Sequence, residues 1–383
     1  MHRSPLLLVL IFAFILLFDS FVPMPVKSFS YSLSLTIKSF IMFMLPFVIF
    51  SLLFKVTLNL SKQASGFLFI LLFGIVCSNF LSTWLSHFVG AYIYSLEHSF
   101  SLPETKSLLS ELWSLRFPQI LGNDKALFFG IFSALILKYF KPEFADKMAL
   151  YLEHYVQYVL NLFVYLIPLF VTGFVFKLQT DGVILTMVKD YALIFLVVAV
   201  AQFSYISLLY FIASGLKPKI FSKKIKAMIA PVIAGFSTMS SAAAMPLTII
   251  ATEKNAKNPM LAKSIIPATV NVHLIGDCFA IPIFAYAILK NYGCPEPTLV
   301  SYLIFSCYFV MAKFSVAAIP GGGILVMLPI LEKYLGFSTE MLSLITALYI
   351  LFDPMITCAN VFGNGAFALI LDAIFSKREK LKI

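Results

Sequence analysis

The stretch AKFSVAAIPGGGILVML, residues 312–328, combines features that oppose one another. It lies in one of the most apolar parts of the chain, and yet it contains a lysine, a proline and three consecutive glycines. Proline interrupts helices, and a non-helical backbone inside a membrane leaves N–H and C=O groups unsatisfied unless protein or a wet cavity surrounds them. The stretch therefore predicts a buried site inside a membrane protein.

The composition of the whole chain is that of an integral membrane protein. Hydrophobic residues make up 61% of the 383 residues and charged residues only 12%, and the mean hydropathy is +0.96. A chain with so little polar surface cannot cover a water-soluble globule. The five cysteines are an odd number without CxxC spacing, so they indicate neither a disulfide framework nor a metal site.

Apolar segments recur along the chain, and a helix needs roughly 20 residues to cross a bilayer. Those before Gly215 are 5–22, 36–58, 66–94, 126–140, 156–176 and 183–213. We interpret the first as a retained span, because no small-residue cleavage site follows it. Beyond Gly215, two segments interrupted by small residues, 227–251 and 301–331, alternate with uninterrupted spans at 262–289 and 341–371. The pattern predicts eight transmembrane helices and two re-entrant hairpins.

The positions of lysine and arginine predict the orientation of the spans. With eight crossings, one face receives 18 basic residues and the other 9. Because cytoplasmic loops carry the excess of basic residues, the richer face is expected to be cytoplasmic and to hold both termini. Topology then accounts for the net charge of +10, and nucleic-acid binding is not expected. The richer face comprises Arg3, Lys55, Lys62, Lys138, Lys141, Lys147, Lys217, Lys219, Lys223, Lys224, Lys226, Lys254, Lys257, Lys263, Lys377, Arg378, Lys380 and Lys382.

Small residues at the two interruptions expose backbone amides, and helix N-termini at such tips can bind an anionic group such as a carboxylate. Four stretches around them resemble, in order, motifs of the dicarboxylate/amino acid:cation symporter family, the glutamate transporter family. AGFSTMSSAAAMPLTI is similar to its first hairpin, IPATVNVHLIGD to its broken seventh helix, AAIPGGGILVMLP to the tip of its second hairpin, and DPMITCANVFGNGAF to its eighth helix.

The resemblance implies an all-α integral membrane fold of the elevator type, with eight transmembrane helices and two re-entrant hairpins, assembled as a homotrimer. A transport domain would move across the membrane against a scaffold. The implied division is 1–62 for scaffold helices 1 and 2, 63–100 for transport-domain helix 3, 101–180 for an outer loop and scaffold helices 4 and 5, 181–216 for transport-domain helix 6, 217–260 for hairpin 1, 261–292 for helix 7, 298–335 for hairpin 2, and 340–383 for helix 8 and a basic cytoplasmic tail.

The resemblance also implies site residues. Ser240 and Ser241 match serines that hold the substrate carboxylate, and Asp353 matches the carboxylate that pairs with its ammonium. Asn271 and Asn360 match asparagines near sodium, and Asn360 also contacts substrate. From spacing alone, the eighth helix presents its polar residues on one side, which must face inward in a membrane. The remaining substrate positions expected are Ile356, Thr357, Pro320, Gly321 and Gly322.

Two positions depart from members that transport acidic substrates. Where those members place an arginine for a second carboxylate, this chain has Ile356 and Met239. Without the bidentate pairing that arginine offers, a neutral amino acid is favoured as substrate. Glutamate, aspartate or a dicarboxylate remains the alternative.

Ion coupling departs from the family as well. His273 and Asn364 replace two sodium-binding aspartates, and Lys313, seven residues before Pro320, lies near another sodium position. The Lys313 ammonium could replace a sodium ion there. His273 is a candidate proton carrier, and Asp277 lies four residues after it. We expect coupling to protons or to fewer sodium ions. Asn271, Asn360 and Asn364 are the possible sodium ligands.

Secondary transport of a small-molecule substrate is the function that these features favour. A non-transporting channel-like or sensory derivative is a remote alternative, and an intramembrane enzyme is not expected, because no HExxH or GxSxG arrangement is present. No cofactor is indicated beyond the coupling ion, Na⁺ or H⁺. The expected partners are the lipid bilayer and further copies of the chain, and the expected location is a bacterial inner membrane.

Overall fold

Helices account for all the regular structure in the described part of the chain. The computed structural model describes residues 11, 14–15, 17–62, 66–95, 109–118, 120–316 and 321–380. Most of the first predicted span with Arg3, the loop position Lys106, the tip residue Pro320 and the terminal Lys382 lie outside the described residues.

Most helices follow one another with short connections, and the long one lies between Ser95 and Asn123. They are α1 (Met24–Lys62), α2 (Gly66–Ser95), α3 (Asn123–Phe140), α4 (Pro142–Thr180), α5 (Val183–Ala213), α6 (Pro218–Thr238), α7 (Ser241–Glu253), α8 (Pro259–Thr269), α9 (Ile275–Asn291), α10 (Leu299–Ala312), α11 (Gly322–Leu335) and α12 (Thr339–Lys380). Short 3₁₀ turns occur at Asp19–Phe21 and Lys313–Ser315.

Both segments predicted to be interrupted are divided into two helices; the first is broken at its small residues, while residues 317–320 of the second small-residue run lie outside the described residues. The first divides into α6 and α7, and the second into α10 and α11. The uninterrupted span predicted at 262–289 from hydropathy is wrong, because helix stops at Thr269 and resumes at Ile275. The broken seventh helix that the motif resemblance implied describes this segment better. The break contains the polar residues Asn271 and His273, but they stand between apolar residues, so a hydropathy average over a whole span does not reveal it.

Packing divides the helices into two groups. In one group, α1 packs along α3 and α4. In the other, α12 packs against α5, α6, α7, α8 and α9, while α2 packs on α9 and α10. Contacts between the groups are fewer and include the turn Lys313–Ser315 against α1. The two hairpins, α6–α7 and α10–α11, belong to the second group.

Apolar side chains cover much of the outer surface as well as the core. Four of the described helical segments, Met24–Lys55, Phe69–Ser95, Tyr191–Ala213 and Thr339–Phe375, are long and apolar enough to cross a membrane. Large side chains such as Phe69, which is 71% exposed, and Tyr165, which is 77% exposed, point outward. Exposed apolar surface on this scale requires lipid or a partner rather than water.

Candidate functional site

A cavity lies where the first hairpin tip, the break between α8 and α9, and the middle of α12 come together. It encloses about 30 Å³, which is on the order of the volume of one water molecule. Its lining is mainly polar or backbone, although it lies inside an apolar protein. The lining residues are Met239, Ser240, Ser241, Val270, Asn271, Leu274, Asp277, Val316, Gly323, Tyr349, Asp353, Thr357 and Asn360.

The first hairpin turns sharply at this cavity. Met239 takes a left-handed conformation, with φ 49°, and ends α6. Ser240 is extended and caps α7, because its Oγ accepts a hydrogen bond from the Ala243 N–H at 3.3 Å. The N-terminal end of α7, which begins at Ser241, therefore faces the cavity with its positive dipole end, where an anionic group is stabilised.

Asp353 on α12 is the carboxylate held by neutral donors. It is 4% exposed, its Oδ2 accepts from the Gly321 N–H at 3.1 Å, and its Oδ1 accepts from Thr357 Oγ1 at 3.2 Å. Gly321 precedes α11 with φ 72°, a left-handed conformation that suits glycine. Among the described residues, no ion pair includes Asp353. Its charge is therefore stabilised by dipoles and not balanced by a cation.

Asp277 on α9 is held differently. Lys313 Nζ donates to its Oδ2 at 2.9 Å, while Tyr349 OH donates to its Oδ1 at 2.9 Å. Asn360 Nδ2 adds a longer contact to Oδ1 at 3.4 Å. Both side chains are almost completely buried, and the Lys313 ammonium balances the negative charge of Asp277.

Asn360 ties α12 to the start of α9. Its Oδ1 accepts a hydrogen bond from the Gly276 N–H at 2.9 Å. The helices approach closely there, since a Cβ at position 276 would lie only 2.3 Å from the Ile356 carbonyl oxygen. Ile356 itself is 0% exposed and is not among the described lining residues. Of the two positions where an arginine was expected in acidic-substrate members, only Met239 faces the cavity.

His273 and Asn364 form a separate polar contact. His273 Nδ1 is 3.1 Å from Asn364 Oδ1, and Nε2 is 2.8 Å from Ser78 Oγ on α2. The imidazole stacks on Phe367 at 4.3 Å, and neither His273 nor Asn364 lines the cavity. His273 and Asp277 were expected on one helical face if the helix were intact. The break before Ile275 separates them instead.

The three asparagines predicted as sodium ligands do not all direct their side-chain oxygens into the cavity. Asn271 lines the cavity, but the side-chain oxygens of Asn360 and Asn364 are directed at Gly276 and His273. In the described part of the chain, no cluster of three or more histidine, cysteine or acidic residues is arranged to hold a metal ion. Each of these amide oxygens accepts one hydrogen bond and keeps a second lone pair, so the sodium-ligand role of Asn360 and Asn364 stays a prediction.

The structure brings Ser240, Ser241, Asn271, Asp277, Asp353, Thr357 and Asn360 together around the cavity. Gly321 contributes its backbone to Asp353, Gly322 begins α11, and Lys313 lies behind Asp277. Pro320 is outside the described residues.

Sequence reasoning missed two residues. Tyr349 lies one turn before Asp353 and lines the cavity, so the helical periodicity of the polar stripe would have found it. Asn79 on α2 spans the break between α8 and α9: its Nδ2 donates to Val272 O at 2.7 Å and its Oδ1 accepts from the Leu274 N–H at 3.2 Å. An asparagine inside an apolar span was the available signal.

Comparisons with known proteins identify the family of the chain. The chain matches the sodium:dicarboxylate symporter family over residues 6–374. It is also similar to a Caenorhabditis elegans protein named "Putative sodium-dependent excitatory amino acid transporter glt-4", with 25% identity over 153 residues. That alignment covers 40% of this chain and only 30% of the relative's length. The chain is thus a multi-pass membrane protein of a transporter family and not an enzyme, and it belongs to the sodium:dicarboxylate symporter family.

Proposed function

We propose that this protein is a secondary active transporter that carries a small amino acid, preferably a neutral one, in symport with H⁺ or Na⁺. The observation that carries the proposal is Asp353, a buried carboxylate that lines the cavity and has no cationic partner among the described residues. A buried charge inside a membrane protein marks a ligand or ion pathway.

An α-amino acid in its zwitterionic form complements the two ends of the cavity. Its ammonium would pair with Asp353, and its carboxylate would accept hydrogen bonds from the backbone at the start of α7 and from the hydroxyls of Ser240 and Ser241. All three residues line the same cavity.

The lack of a cation in the lining supports a neutral side chain on the substrate. Among the described residues, the lining contains no lysine or arginine, and the nearby Lys313 is already paired with Asp277. A second carboxylate would therefore be desolvated without a bidentate partner. The alternative, an acidic amino acid or a dicarboxylate, is supported by the family's description and by the name of the C. elegans relative.

Uptake into proteoliposomes tests this proposal. Labelled alanine, serine, glutamate and succinate would each be offered under a sodium gradient and separately under a proton gradient. Accumulation of alanine or serine above equilibrium under either gradient is expected. Concentrative uptake of only glutamate or succinate would support the acidic alternative, and equilibration without accumulation would contradict symport and support a channel-like derivative.

The two packing groups support a proposal for the moving parts. Helices α1, α3 and α4 would form the scaffold, and α2, α5, both hairpins, α8–α9 and α12 the transport domain. In this arrangement the chain crosses the membrane eight times, with the hairpins re-entrant and both termini cytoplasmic in a bacterial inner membrane. A homotrimer is the proposed assembly. Native mass spectrometry from lipid nanodiscs would contradict the assembly if it gave only the mass of one chain.

A further inference from the structure

A buried ion pair lies directly behind the cavity. Lys313 Nζ is 2.9 Å from Asp277 Oδ2, and the two side chains are 0% and 1% exposed. The other ion pairs of the described residues retain more solvent contact. Burial costs both charges their hydration, and such a pair is often no more stabilising than apolar residues of similar volume. Its position therefore points to a role in the site.

Asp277 has the surroundings of a carboxylate that binds a small cation. It lines the cavity, and its Oδ1 accepts from Tyr349 OH at 2.9 Å and from Asn360 Nδ2 at 3.4 Å. A buried carboxylate beside a polar cavity favours any cation that can reach it. The ammonium of Lys313 already holds the other oxygen, so an ion from solution would have to displace it.

Lys313 reaches Asp277 from the second hairpin. It begins the 3₁₀ turn that follows α10, and its Nζ also lies 4.5 Å from the centre of the Phe309 ring, whose face stabilises a cation. In the same turn, the Oγ of the fully buried Ser315 has no hydrogen-bond partner among the described residues. The turn thus holds a buried oxygen ligand that the lysine does not use.

We propose that Lys313 is a tethered cation that takes the place of a dissolved sodium ion at Asp277, and that removing its charge opens a sodium site at this carboxylate. The inference deepens the proposed function, because it states what fills one cation position of the same site. It also links that charge to the second hairpin, so the cation moves with the hairpin tip and does not equilibrate with solution.

The first readout needs no substrate. Purified wild-type protein, Lys313→Thr and the double variant Asp277→Asn/Lys313→Met would be unfolded by heat while sodium replaces choline at constant ionic strength. In Lys313→Thr, near-saturating sodium is expected to raise Tm by about 2 °C or more beyond any rise in the wild type. The double variant has no carboxylate to receive the ion, so its sodium response should equal that of the wild type.

Two results would overturn the inference: a Lys313→Thr protein whose Tm responds to sodium as the wild type does, or an equal additional rise in the double variant. If Lys313→Thr does not fold, the sodium responses of the wild type and the double variant still test whether Asp277 binds sodium while Lys313 is present. Loss of a wild-type sodium response in the double variant would show that Asp277 binds sodium despite Lys313. Failure of all uptake would contradict the proposed function but leave these thermal results interpretable.

Discussion

Two buried aspartates line the same cavity and differ in what surrounds their charge. Asp277 on α9 is paired with Lys313 at 2.9 Å. Asp353 on α12 accepts hydrogen bonds from the Gly321 N–H and from Thr357 Oγ1, and among the described residues it has no cationic partner. The chain provides its own cation at one carboxylate and only dipoles at the other.

This difference gives the two carboxylates different roles in the site. With Asp277 and Lys313 cancelling, the ionised groups around the cavity leave the single negative charge of Asp353. One cationic group of a ligand balances that charge, and the dipole at the start of α7 favours an anionic group beside it. The contrast therefore favours a zwitterion over a dianion.

The largest effect is expected from Asp353→Asn. The substitution keeps the shape but removes the charge proposed to pair with the substrate ammonium. Breaking a buried charge pair costs about 3–5 kcal/mol, so the affinity for alanine or serine should fall by about 100-fold or more. Equilibrium binding to the purified protein measures it.

A matched control is Asp181→Asn, which removes a carboxylate paired with Lys177 at 2.9 Å outside the cavity lining. Its substrate affinity should stay close to that of the wild type. Equal losses in the two variants would contradict a specific role for Asp353.

The next effect is on stability, from Lys313→Met. Without the ammonium, Asp277 becomes a buried charge with no cationic partner, and the free energy of unfolding should fall by about 3–5 kcal/mol. Adding Asp277→Asn should recover most of the loss, because both charges are then absent. Thermal unfolding in detergent or nanodiscs provides the comparison. A single variant as stable as the wild type would mean that the pair does not balance Asp277 as described.

A smaller loss is expected from Tyr349→Phe, which removes the hydroxyl that donates to Asp277 Oδ1 at 2.9 Å. Hydrogen bonds to charged groups contribute about 1.5–3 kcal/mol, so stability should fall by about 2 kcal/mol. In the Asp277→Asn/Lys313→Met background the same change should cost less, because the acceptor is no longer charged. Equal losses of stability in the two backgrounds, measured by a double-mutant cycle, would show that the Tyr349 hydroxyl does not interact with the charge of Asp277.

The smallest effect is expected from Ser240→Ala. The substitution removes the Oγ that caps α7 through the Ala243 N–H. Loss of an N-cap costs about 1 kcal/mol, so substrate affinity should fall by less than about tenfold if the cap positions the tip. Ser237→Ala is a control, since Ser237 is exposed and bonds only within α6. A loss for Ser240→Ala as large as that for Asp353→Asn would shift the main binding role to the hairpin.

Much of the fold was readable from the sequence because each hairpin break coincides with small residues. The breaks at Met239–Ser240 and before Gly321 fall where they were predicted. The break between Thr269 and Ile275 was not visible in hydropathy, because its backbone is satisfied by Asn79, a residue on another helix. Long-range satisfaction of backbone groups leaves no local pattern.

The candidate site was likewise predictable only in part: helical spacing indicates which residues share a face, but not which residues pair across helices. The helical spacing of Asp353, Thr357, Asn360 and Asn364 predicted a common inward face; all four are buried, although Asn364 does not line the cavity. Which carboxylate pairs with Lys313 could not be predicted from the sequence, because the pairing depends on how α9 and the turn after α10 meet. The same holds for His273, whose contacts with Ser78 and Asn364 cross three segments.

The most direct test of the account is competition for bound labelled alanine on the purified wild-type protein. Unlabelled alanine and serine are expected to displace the label, and succinate, which has no ammonium for Asp353, is expected not to. Failure of labelled alanine to bind, or its displacement by succinate at concentrations as low as those of unlabelled alanine, would contradict the assignment of Asp353 to a zwitterionic neutral amino acid.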